Sequence, residues 1–328
     1  MLPRFLAALM IVGTLLSATP ARAADDDIVF GVISTESSTN LKNEWEPFLA
    51  DMEKRTGLKV KAFFASDYAG IIEGMRFNKV QLAWYGNKSA MEAVDRADGE
   101  IFAHVVTLNG EPGYWSLLIT HRDSDIHTLD DVIKSPGKYT FGNGDPNSTS
   151  GFLVPGYYVF ALNKIDPKTH FKRVVSANHE TNAMAVLNKQ VDIATNNTEE
   201  MARIQDRMPD RFKDIRIVWT SPLIPADPIV WRKDLPKETK TKIYNFLTSY
   251  GKTGGDAEHD KQVLAALKWS GFEPSSNDQL LPIRQLELFK ARAKVENDEK
   301  LSVEEKKVKI TEIDLQLGEL QKKMASSK

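Results

Sequence analysis

The sequence predicts an α/β protein built on parallel sheets. Apolar segments of strand length alternate with segments of helical periodicity along most of the chain, as is typical of parallel α/β folds. The 328 residues are enough for about two domains of the usual size, roughly 100–200 residues each. A hydrophobic content of 41% and a charged content of 27% exclude an intrinsically disordered chain.

Nine strands are predicted, each a short run rich in apolar residues and bounded by turn residues. They are Ile28–Ile33, Leu58–Phe64, Leu82–Tyr85, Phe102–Thr107, Trp115–Thr120, Tyr139–Gly142, Arg173–Ser176, Val191–Thr195 and Ile215–Trp219. Helices are predicted between most of them. The first lies before Gly57, which ends it, and two others cover Ala69–Phe77 and Phe152–Leu162.

The N-terminal residues 1–23 have the pattern of a secretory signal peptide. Arg4 provides a positive start, Phe5–Leu16 is apolar, and Ala21-Arg22-Ala23 is a small-x-small cleavage signal. The apolar run is too short to span about 30 Å of hydrocarbon. We therefore expect cleavage before Ala24 and export of the mature protein, most simply to a bacterial periplasm.

Two turn-rich stretches, His121–Asp125 and Ser221–Pro228, are the candidate crossings between domains. The chain from Gln285 onward is different, because it is dense in Lys and Glu and contains no proline. Apolar residues in this segment follow a heptad-like spacing; they are Ile310, Ile313, Leu317, Leu320 and Met324. Two heptads fit either a partner helix of a homodimer or a helix packed on its own domain.

Composition also limits the possible functions. The chain has no cysteine, which excludes thiolate metal sites, disulfides and cysteine nucleophiles. The net charge of −2 provides no positive field for a nucleic-acid partner. No cofactor or metal site is expected, since the histidines lack zinc-ligand spacing.

The strongest candidate site is the segment from Phe141 to Gly151, which joins a strand to the predicted helix Phe152–Leu162. Ser148, Thr149, Ser150 and Gly151 are predicted at the N-terminus of that helix, where backbone N–H groups lack helical partners and the dipole is positive. Hydroxyl groups and free amides together suit a tetrahedral oxyanion. The alternative is simple capping by one serine, although three consecutive hydroxyl residues exceed what one cap requires.

An enzyme is the weaker interpretation. No Gly-x-Ser-x-Gly motif occurs, and no zinc-binding partner follows His179-Glu180 at ligand spacing. Several large aromatic residues lie at strand ends, where such residues are more often part of the core than ligand contacts. They are Tyr68, Trp84, Tyr85, Tyr114 and Trp115.

Several segments together resemble the phosphonate-binding periplasmic proteins of bacterial ABC importers. They are Asp67-Tyr-Ala-Gly-Ile-Ile, Ala83-Trp-Tyr-Gly-Asn, Pro112-Gly-Tyr-Trp-Ser, Asn143-Gly-Asp-Pro-Asn-Ser-Thr-Ser-Gly, His179-Glu-Thr-Asn, Asn196-Asn-Thr-Glu and Ile224-Pro-Ala-Asp-Pro-Ile-Val-Trp. The resemblance covers essentially the whole mature chain. It implies a two-lobe periplasmic-binding-protein fold of type II, with two hinge crossings and a C-terminal helical extension. Lobe 1 would comprise residues 24–120 and 222–284, lobe 2 residues 121–221, and the extension residues 285–328.

The resemblance also implies roles for individual residues. The phosphonate contacts would be Tyr68, Ser148, Thr149, Ser150 and His179. The contacts to an amine at the other end of the ligand would be Tyr114, Glu199 and Asp227. The implied partners are a phosphonate ligand, a membrane permease and a second copy of the chain that pairs through the C-terminal helix, although the C-terminal segment here departs from the family's pattern.

Two carboxylates near an anion site would repel phosphate or sulfate unless the far end of the ligand is cationic. Glu199 and Asp227 therefore suit an ammonium group, as in 2-aminoethylphosphonate. Without the resemblance they would be an ordinary helix-start glutamate and turn aspartate. Two alternatives stay open: a binding protein of the same fold for phosphite, phosphate or another small oxyanion, and a secreted enzyme acting on phosphorylated small molecules.

Overall fold

The computed structural model describes residues 27–252 and 256–326, so the predicted signal peptide lies outside the described residues. The strands are β1 (Asp27–Val32), β2 (Lys59–Phe64), β3 (Leu82–Trp84), β4 (Gly99–Thr107), β5 (Gly113–Tyr114), β6 (Ser116–His121), β7 (Thr140–Asn143), β8 (Arg173–Ser176), β9 (Ile193–Asn197), β10 (Ile215–Thr220), β11 (Ile224–Pro225), β12 (Pro228–Arg232) and β13 (Trp269–Pro274). The α-helices are α1 (Ser38–Thr56), α2 (Tyr68–Arg76), α3 (Asn87–Arg96), α4 (Leu129–Ile133), α5 (Pro167–His170), α6 (His179–Leu187), α7 (Thr198–Arg207), α8 (Pro209–Phe212), α9 (Lys237–Ser249), α10 (Ala257–Ala266), α11 (Leu281–Asn297) and α12 (Val303–Ser326). A short 3₁₀ turn, Asn277–Leu280, precedes α11.

Two separate sheets define two α/β lobes. Lobe 1 contains the six-stranded sheet in the order β13-β4-β12-β3-β1-β2, and lobe 2 contains the five-stranded sheet in the order β10-β6-β9-β7-β8. The two sheets share one plan. In lobe 1, β1 lies between β2 and β3, and β12, which follows the crossing from lobe 2, lies next to β3. In lobe 2, β7 lies between β8 and β9, and β6, which follows the crossing from lobe 1, lies next to β9. The predicted two-lobe α/β architecture is confirmed.

The prediction of parallel sheets is only partly correct. The pairs β1–β2, β1–β3, β7–β8 and β7–β9 are parallel, whereas all pairs that involve β6 or β12 are antiparallel. The physical reason lies in the crossings. A strand that arrives from the other lobe enters the sheet at the cleft, where the parallel strands end, so it runs in the opposite direction. The sequence-based prediction also missed β12 and β13.

The first crossing lies earlier than predicted. Because β6 belongs to the sheet of lobe 2, the chain passes between lobes after β4, in residues 108–115, and not at His121–Asp125. The second passage falls within Ser221–Pro228, between β10 and β12. The two crossings pair with each other through β5 and β11. Gly113 permits this approach, since a Cβ at this position would overlap the carbonyl oxygen of Ile224.

The core of lobe 1 is rich in aromatic residues, and Trp45 lies at its centre. Its ring centroid is 5.5 Å from that of Trp84 and 5.3 Å from that of Trp269. Lobe 2 has two smaller apolar clusters, one of which includes Leu118 and the other Leu117. Since neighbouring residues of β6 point in opposite directions, these clusters cover the two faces of the five-stranded sheet.

The helix that follows Ser148 is wound more widely than an α-helix. Its π-helical segments are Thr149–Leu153 and Gly156–Ala161, and we call residues 149–161 the cradle helix. Pro155 has no N–H group, and its ring would crowd the carbonyl of Gly151 in an α-helix. The oxygen of Gly151 instead accepts a hydrogen bond from the Gly144 N–H at 3.0 Å. The wide winding therefore accommodates Pro155 near the start of the cradle helix, and the free carbonyl of Gly151 connects the helix to the preceding loop.

The C-terminal extension is a pair of helices that starts earlier than residue 285. Ile283 and Leu286 of α11 belong to the core of lobe 1, and α12 packs along α11. Leu317 and Leu320 of the predicted heptad pattern are buried within this chain. In residues 27–252 and 256–326, no helix is both long and apolar enough to cross a membrane.

Candidate functional site

Helix N-termini from both lobes surround one cavity. Residues in the first turns of α2, α6, α7 and the cradle helix line it, and the first turn of α3 contacts the cradle helix. The lining residues are Thr35, Tyr68, Trp84, Tyr114, Ser148, Thr149, Ser150, His179, Asn197, Glu199, Glu200, Arg203 and Asp227. All eight residues predicted from the sequence are brought together here. Free N–H groups and positive dipole ends at this many helix starts favour an anionic ligand.

The cavity is small and enclosed. The lining atoms leave about 320 Å³ between them, part of it open to solvent. Ser148, Thr149 and Ser150 are each only 2% exposed. A ligand therefore reaches these hydroxyl groups only when the lobes separate.

The three hydroxyl residues at the start of the cradle helix, its cap Ser148 included, have different partners. Ser148 caps the helix, and its Oγ accepts a hydrogen bond from the Gly151 N–H at 2.9 Å. Ser150 Oγ accepts one from Asn197 Nδ2 at 3.2 Å. Simple capping explains Ser148 but not Thr149 or Ser150. Each of the three hydroxyls can still donate its own proton to an oxyanion.

Thr149 also connects the lobes. Its Oγ1 accepts a hydrogen bond from the backbone N–H of Lys88 at 2.9 Å, and Lys88 is in the first turn of α3 in lobe 1. Gly86, the residue before α3, allows this approach, because a Cβ there would lie 3.2 Å from Thr149 Oγ1 and 3.9 Å from Asp227 Oδ1. The cradle helix and α3 thus meet at the cavity.

His179 begins α6 and lies beside the cradle helix. Its Nε2 is 3.4 Å from both Ser148 Oγ and Ser150 Oγ. Burial lowers the pKa of His179 to about 4, and the nearby Arg203 contributes in the same direction. The imidazole is therefore neutral at pH 7 and can offer one N–H group but no charge to a ligand.

Tyr68 is the first residue of α2. Its backbone N–H donates to Asp145 Oδ2 at 3.2 Å, which ties α2 to the loop before the cradle helix. Burial is the main cause that raises the pKa of the Tyr68 phenol, and the Asp145 carboxylate adds to it. The phenol remains protonated and is a hydrogen-bond donor beside Ser148.

The carboxylates predicted for an amine lie in the same cavity. Asp227 precedes β12, and its Oδ1 accepts a hydrogen bond from the Tyr114 hydroxyl at 2.9 Å. Glu199 is in the first turn of α7. Burial raises the pKa of Asp227 well above its usual range, and the neighbouring Glu199 raises it further. Burial likewise raises the pKa of Glu199. Two carboxyl groups that destabilise each other's charge are a suitable site for a cation.

Sequence reasoning missed five residues of the cavity wall: Thr35, Trp84 as a wall residue, Asn197, Glu200 and Arg203. Arg203 had a detectable signal, because it follows Glu199 by four residues and so shares its helix face. Thr35 had none, and the signal at Trp84, an aromatic residue at a strand end, is more typical of a core residue than of a ligand contact. Their positions depend on how lobe 1 closes over lobe 2, and Trp84 also packs in the core.

Similarity to known proteins identifies the family. A family model described as the periplasmic phosphonate substrate-binding protein of an ABC transporter matches residues 30–280. A phosphonates-binding periplasmic protein of Escherichia coli is 57% identical over 307 residues, which cover 94% of this chain and 89% of that protein. A phosphate-import protein of Mycolicibacterium smegmatis is 30% identical over 239 residues, covering 69% of this chain and 72% of that protein.

A solved structure agrees with the sequence comparison. The binding-protein component of an ABC phosphonate transporter from Pseudomonas aeruginosa superposes with a TM-score of 0.89 at 57% identity, covering 92% of this chain and 98% of that one. The match extends over both lobes. The chain therefore belongs to the family of periplasmic substrate-binding proteins of phosphonate ABC transporters.

Proposed function

We propose that this protein captures aminoalkylphosphonates, 2-aminoethylphosphonate in particular, in the cavity between its lobes and delivers them to the permease of an ABC importer. The observation that carries the proposal is that one cavity contains a site suited to an anion and a second site suited to a cation. The hydroxyl groups and helix N-termini around Ser148–Ser150 suit a phosphonate, and Glu199 with Asp227 suits an ammonium group.

The proposed contacts are those that the family resemblance implies, and the position of all eight residues in the cavity wall supports them. Tyr68, Ser148, Thr149, Ser150 and His179 would donate hydrogen bonds to the phosphonate oxygens. Tyr114 would hold Asp227 in place for the amine, with Glu199 as the second carboxylate. The ligand has seven non-hydrogen atoms, so a ceiling of about −1.5 kcal/mol per atom permits about −10 kcal/mol, or a Kd on the order of tens of nanomolar.

Phosphate or phosphite is the second candidate ligand, and one observation favours it. The raised pKa of Asp227 allows a protonated carboxyl group that donates a hydrogen bond to an oxyanion. The similarity to a phosphate-import protein supports the same alternative.

Calorimetry with paired ligands tests the proposal. Glu199→Gln keeps the shape of the side chain and removes one charge, so 2-aminoethylphosphonate should lose affinity by about 1.5–3 kcal/mol. Methylphosphonate has no ammonium group, so its affinity should stay equal or increase, because a like charge near the anion is removed. Parallel losses for both ligands would contradict the ammonium site. Phosphate binding tighter than that of either phosphonate would favour the second candidate.

We also propose that the protein is not an enzyme, and that it is exported by a signal peptide that is cleaved before Ala24. His179 Nδ1 has no hydrogen-bond partner in the described part of the chain, so no described group orients the imidazole as a base for Ser148 or Ser150. Phosphorus NMR of bound ligand should show no turnover. Mass spectrometry of the periplasmic fraction should give a chain that begins at Ala24.

A homodimer through the C-terminal helix is a further proposal. Half-buried Ile310 and Ile313 and exposed Leu315 leave apolar surface on α12, although Leu317 and Leu320 are buried within the chain. A second copy of the chain would cover part of that surface.

A further inference from the structure

Beyond the ligand contacts, a group of buried charges joins the lobes beside the cavity. Glu36 follows β1 in lobe 1, and its side chain has no exposed surface. Its carboxylate lies between two arginines of α7 in lobe 2. Glu36 Oε1 is 3.1 Å from Arg203 Nε, and Glu36 Oε2 is 2.7 Å from Arg207 Nη1.

Arg203 is directed toward the other lobe. Besides Glu36, its Nε is 3.6 Å from Glu44 Oε2, and its Nη2 donates to the carbonyl of Leu267 at 3.3 Å. All three partners belong to lobe 1. Arg203 nevertheless lines the ligand cavity and is one helical turn after Glu199, which is also in the cavity wall.

Opening of the lobes changes the partners of Arg203. The hydroxyl groups of the cavity are buried, so the lobes must part for a ligand to enter, and parting removes Glu36, Glu44 and Leu267 from Arg203. The carboxylates that stay on its own helix are Glu199 and Glu200, at the i−4 and i−3 positions, where ion pairs form on a helix surface. In such an open form Arg203 would pair with the carboxylate that an ammonium ligand needs.

We propose that Glu36 is a positioning residue that gives the site its preference for ammonium-bearing ligands. With the lobes closed, Arg203 pairs with Glu36 and interacts with Glu199 only at longer range, so Glu199 is available to pair with the ligand amine. Closure and amine recognition are then one exchange of ion pairs, in which Arg203 leaves one glutamate for another. This inference rests on the proposed function and extends it to residues that need not touch the ligand.

The test compares 2-aminoethylphosphonate with methylphosphonate by calorimetry in Glu36→Gln. We expect the affinity for 2-aminoethylphosphonate to fall at least tenfold more than that for methylphosphonate, because only the amine competes with Arg203. In a Glu199→Gln background this extra loss should disappear. Equal losses for both ligands, or an extra loss that persists without Glu199, would overturn the proposal.

Glu180→Gln is the matched control. Glu180 also joins the lobes, because its carboxylate accepts hydrogen bonds from the Ser37 N–H at 2.7 Å and from Asn40 Nδ2 at 2.6 Å. Its ion-pair partner on α7 is Arg207, at 3.7 Å, and not Arg203. Weaker closure alone should lower the affinity for both ligands by the same factor, and a selective loss in this variant would count against the role of Glu36.

A second variant controls for misfolding, since Glu36→Gln leaves the buried Arg203 and the exposed Arg207 without their shared partner. Glu36→Gln/Arg203→Gln removes one charge of each sign and also removes the competitor for Glu199. We expect its preference for 2-aminoethylphosphonate to be at least as high as that of the wild type. A tenfold loss of preference in the double variant would overturn the exchange. If the wild-type protein binds neither phosphonate, the proposed function itself fails, which is a different outcome.

Discussion

At the scale of single residues, the cavity keeps most of its donors uncharged. His179 is neutral and Tyr68 is protonated at pH 7, because burial disfavours the charged form of each. The attraction for an anion therefore comes from hydroxyl protons, backbone N–H groups and helix dipoles. The donors of each lobe are fixed within that lobe before the ligand arrives, so binding requires closure of the lobes but little reorganisation inside each one.

The first prediction concerns Thr149→Ala/Ser150→Ala. Each hydroxyl that donates to a charged ligand is worth about 1.5–3 kcal/mol, so the double variant should bind phosphonate more than a hundredfold more weakly. Calorimetry measures the loss, and Ser176→Ala, an exposed serine at the end of β8, is the control. Nearly unchanged affinity in the double variant would mean that the segment only caps the helix.

The second prediction concerns Asp227→Asn and pH. Burial raises the pKa of Asp227 in the folded protein, so the folded state favours the neutral carboxyl group. The stability that this preference provides is fully present below the pKa of the unfolded chain, about 3.9, and is lost as the pH rises through the pKa of the folded protein. Without ligand, Asp227→Asn should therefore melt higher than wild type at pH 8. A pKa raised by one unit corresponds to about 1.4 kcal/mol, or about 2–4 °C in melting temperature for a protein of this size.

The difference in melting temperature should shrink as the pH falls toward 4, where both side chains are neutral. With 2-aminoethylphosphonate present the order should reverse, since the variant loses a partner for the amine. A variant that melts lower than wild type at every pH without ligand would show that Asp227 has a structural role instead.

At the scale of secondary structure, the site depends on where helices begin. The sequence predicted the start of the cradle helix correctly, because a proline, glycines and three hydroxyl residues lie together between a strand and an apolar run. It did not predict the π winding, which follows from Pro155 and from the hydrogen bond that the Gly144 N–H donates to the oxygen of Gly151. It also missed that α3 begins at the cavity, because Gly86 provides no side-chain cap that would mark the helix start.

The third prediction tests the junction of α3 and the cradle helix. Gly86 has φ of −74°, so alanine can adopt its backbone conformation. The new Cβ would lie only 3.2 Å from Thr149 Oγ1, which is tight and would hold the lobes slightly apart. We expect Gly86→Ala to fold normally and to bind phosphonate at least tenfold more weakly.

Gly137→Ala is an instructive comparison for that variant. Gly137 has φ of +76°, and a Cβ added there would have no atom within 4 Å. Alanine at this position should lower stability through backbone strain and leave affinity unchanged. If Gly86→Ala lowers the melting temperature but not the affinity, then the close approach of the lobes does not control binding.

At the scale of the whole molecule, sequence periodicity could predict two α/β lobes but not the strands that cross between them. The position of the first crossing was wrong because β6 has the pattern of any other apolar strand, and only its pairing with β9 and β10 assigns it to lobe 2. The same limit applies to Arg203 and Glu36. They are far apart in the sequence, and only the closed arrangement of the lobes brings them together.

The last prediction separates the roles of the two C-terminal helices. Within the described chain, α12 packs along α11, whereas α11 also contacts the cradle helix: the rings of Phe289 and Tyr157 stack with centroids 5.9 Å apart, and Lys290 Nζ lies 4.2 Å from the centroid of Phe152. Removal of residues 299–328 should therefore leave phosphonate affinity within about threefold of the full chain. If α12 forms a dimer, light scattering should show the mass halved.

Removal of residues 281–328 should weaken binding much more, because Ile283 and Leu286 leave the core of lobe 1 and the cradle helix loses the helix that packs on its outer side. Equal affinity in both truncated proteins would show that α11 has no part in holding the anion site, and an unchanged oligomeric state in the shorter truncation would argue against a dimer through α12.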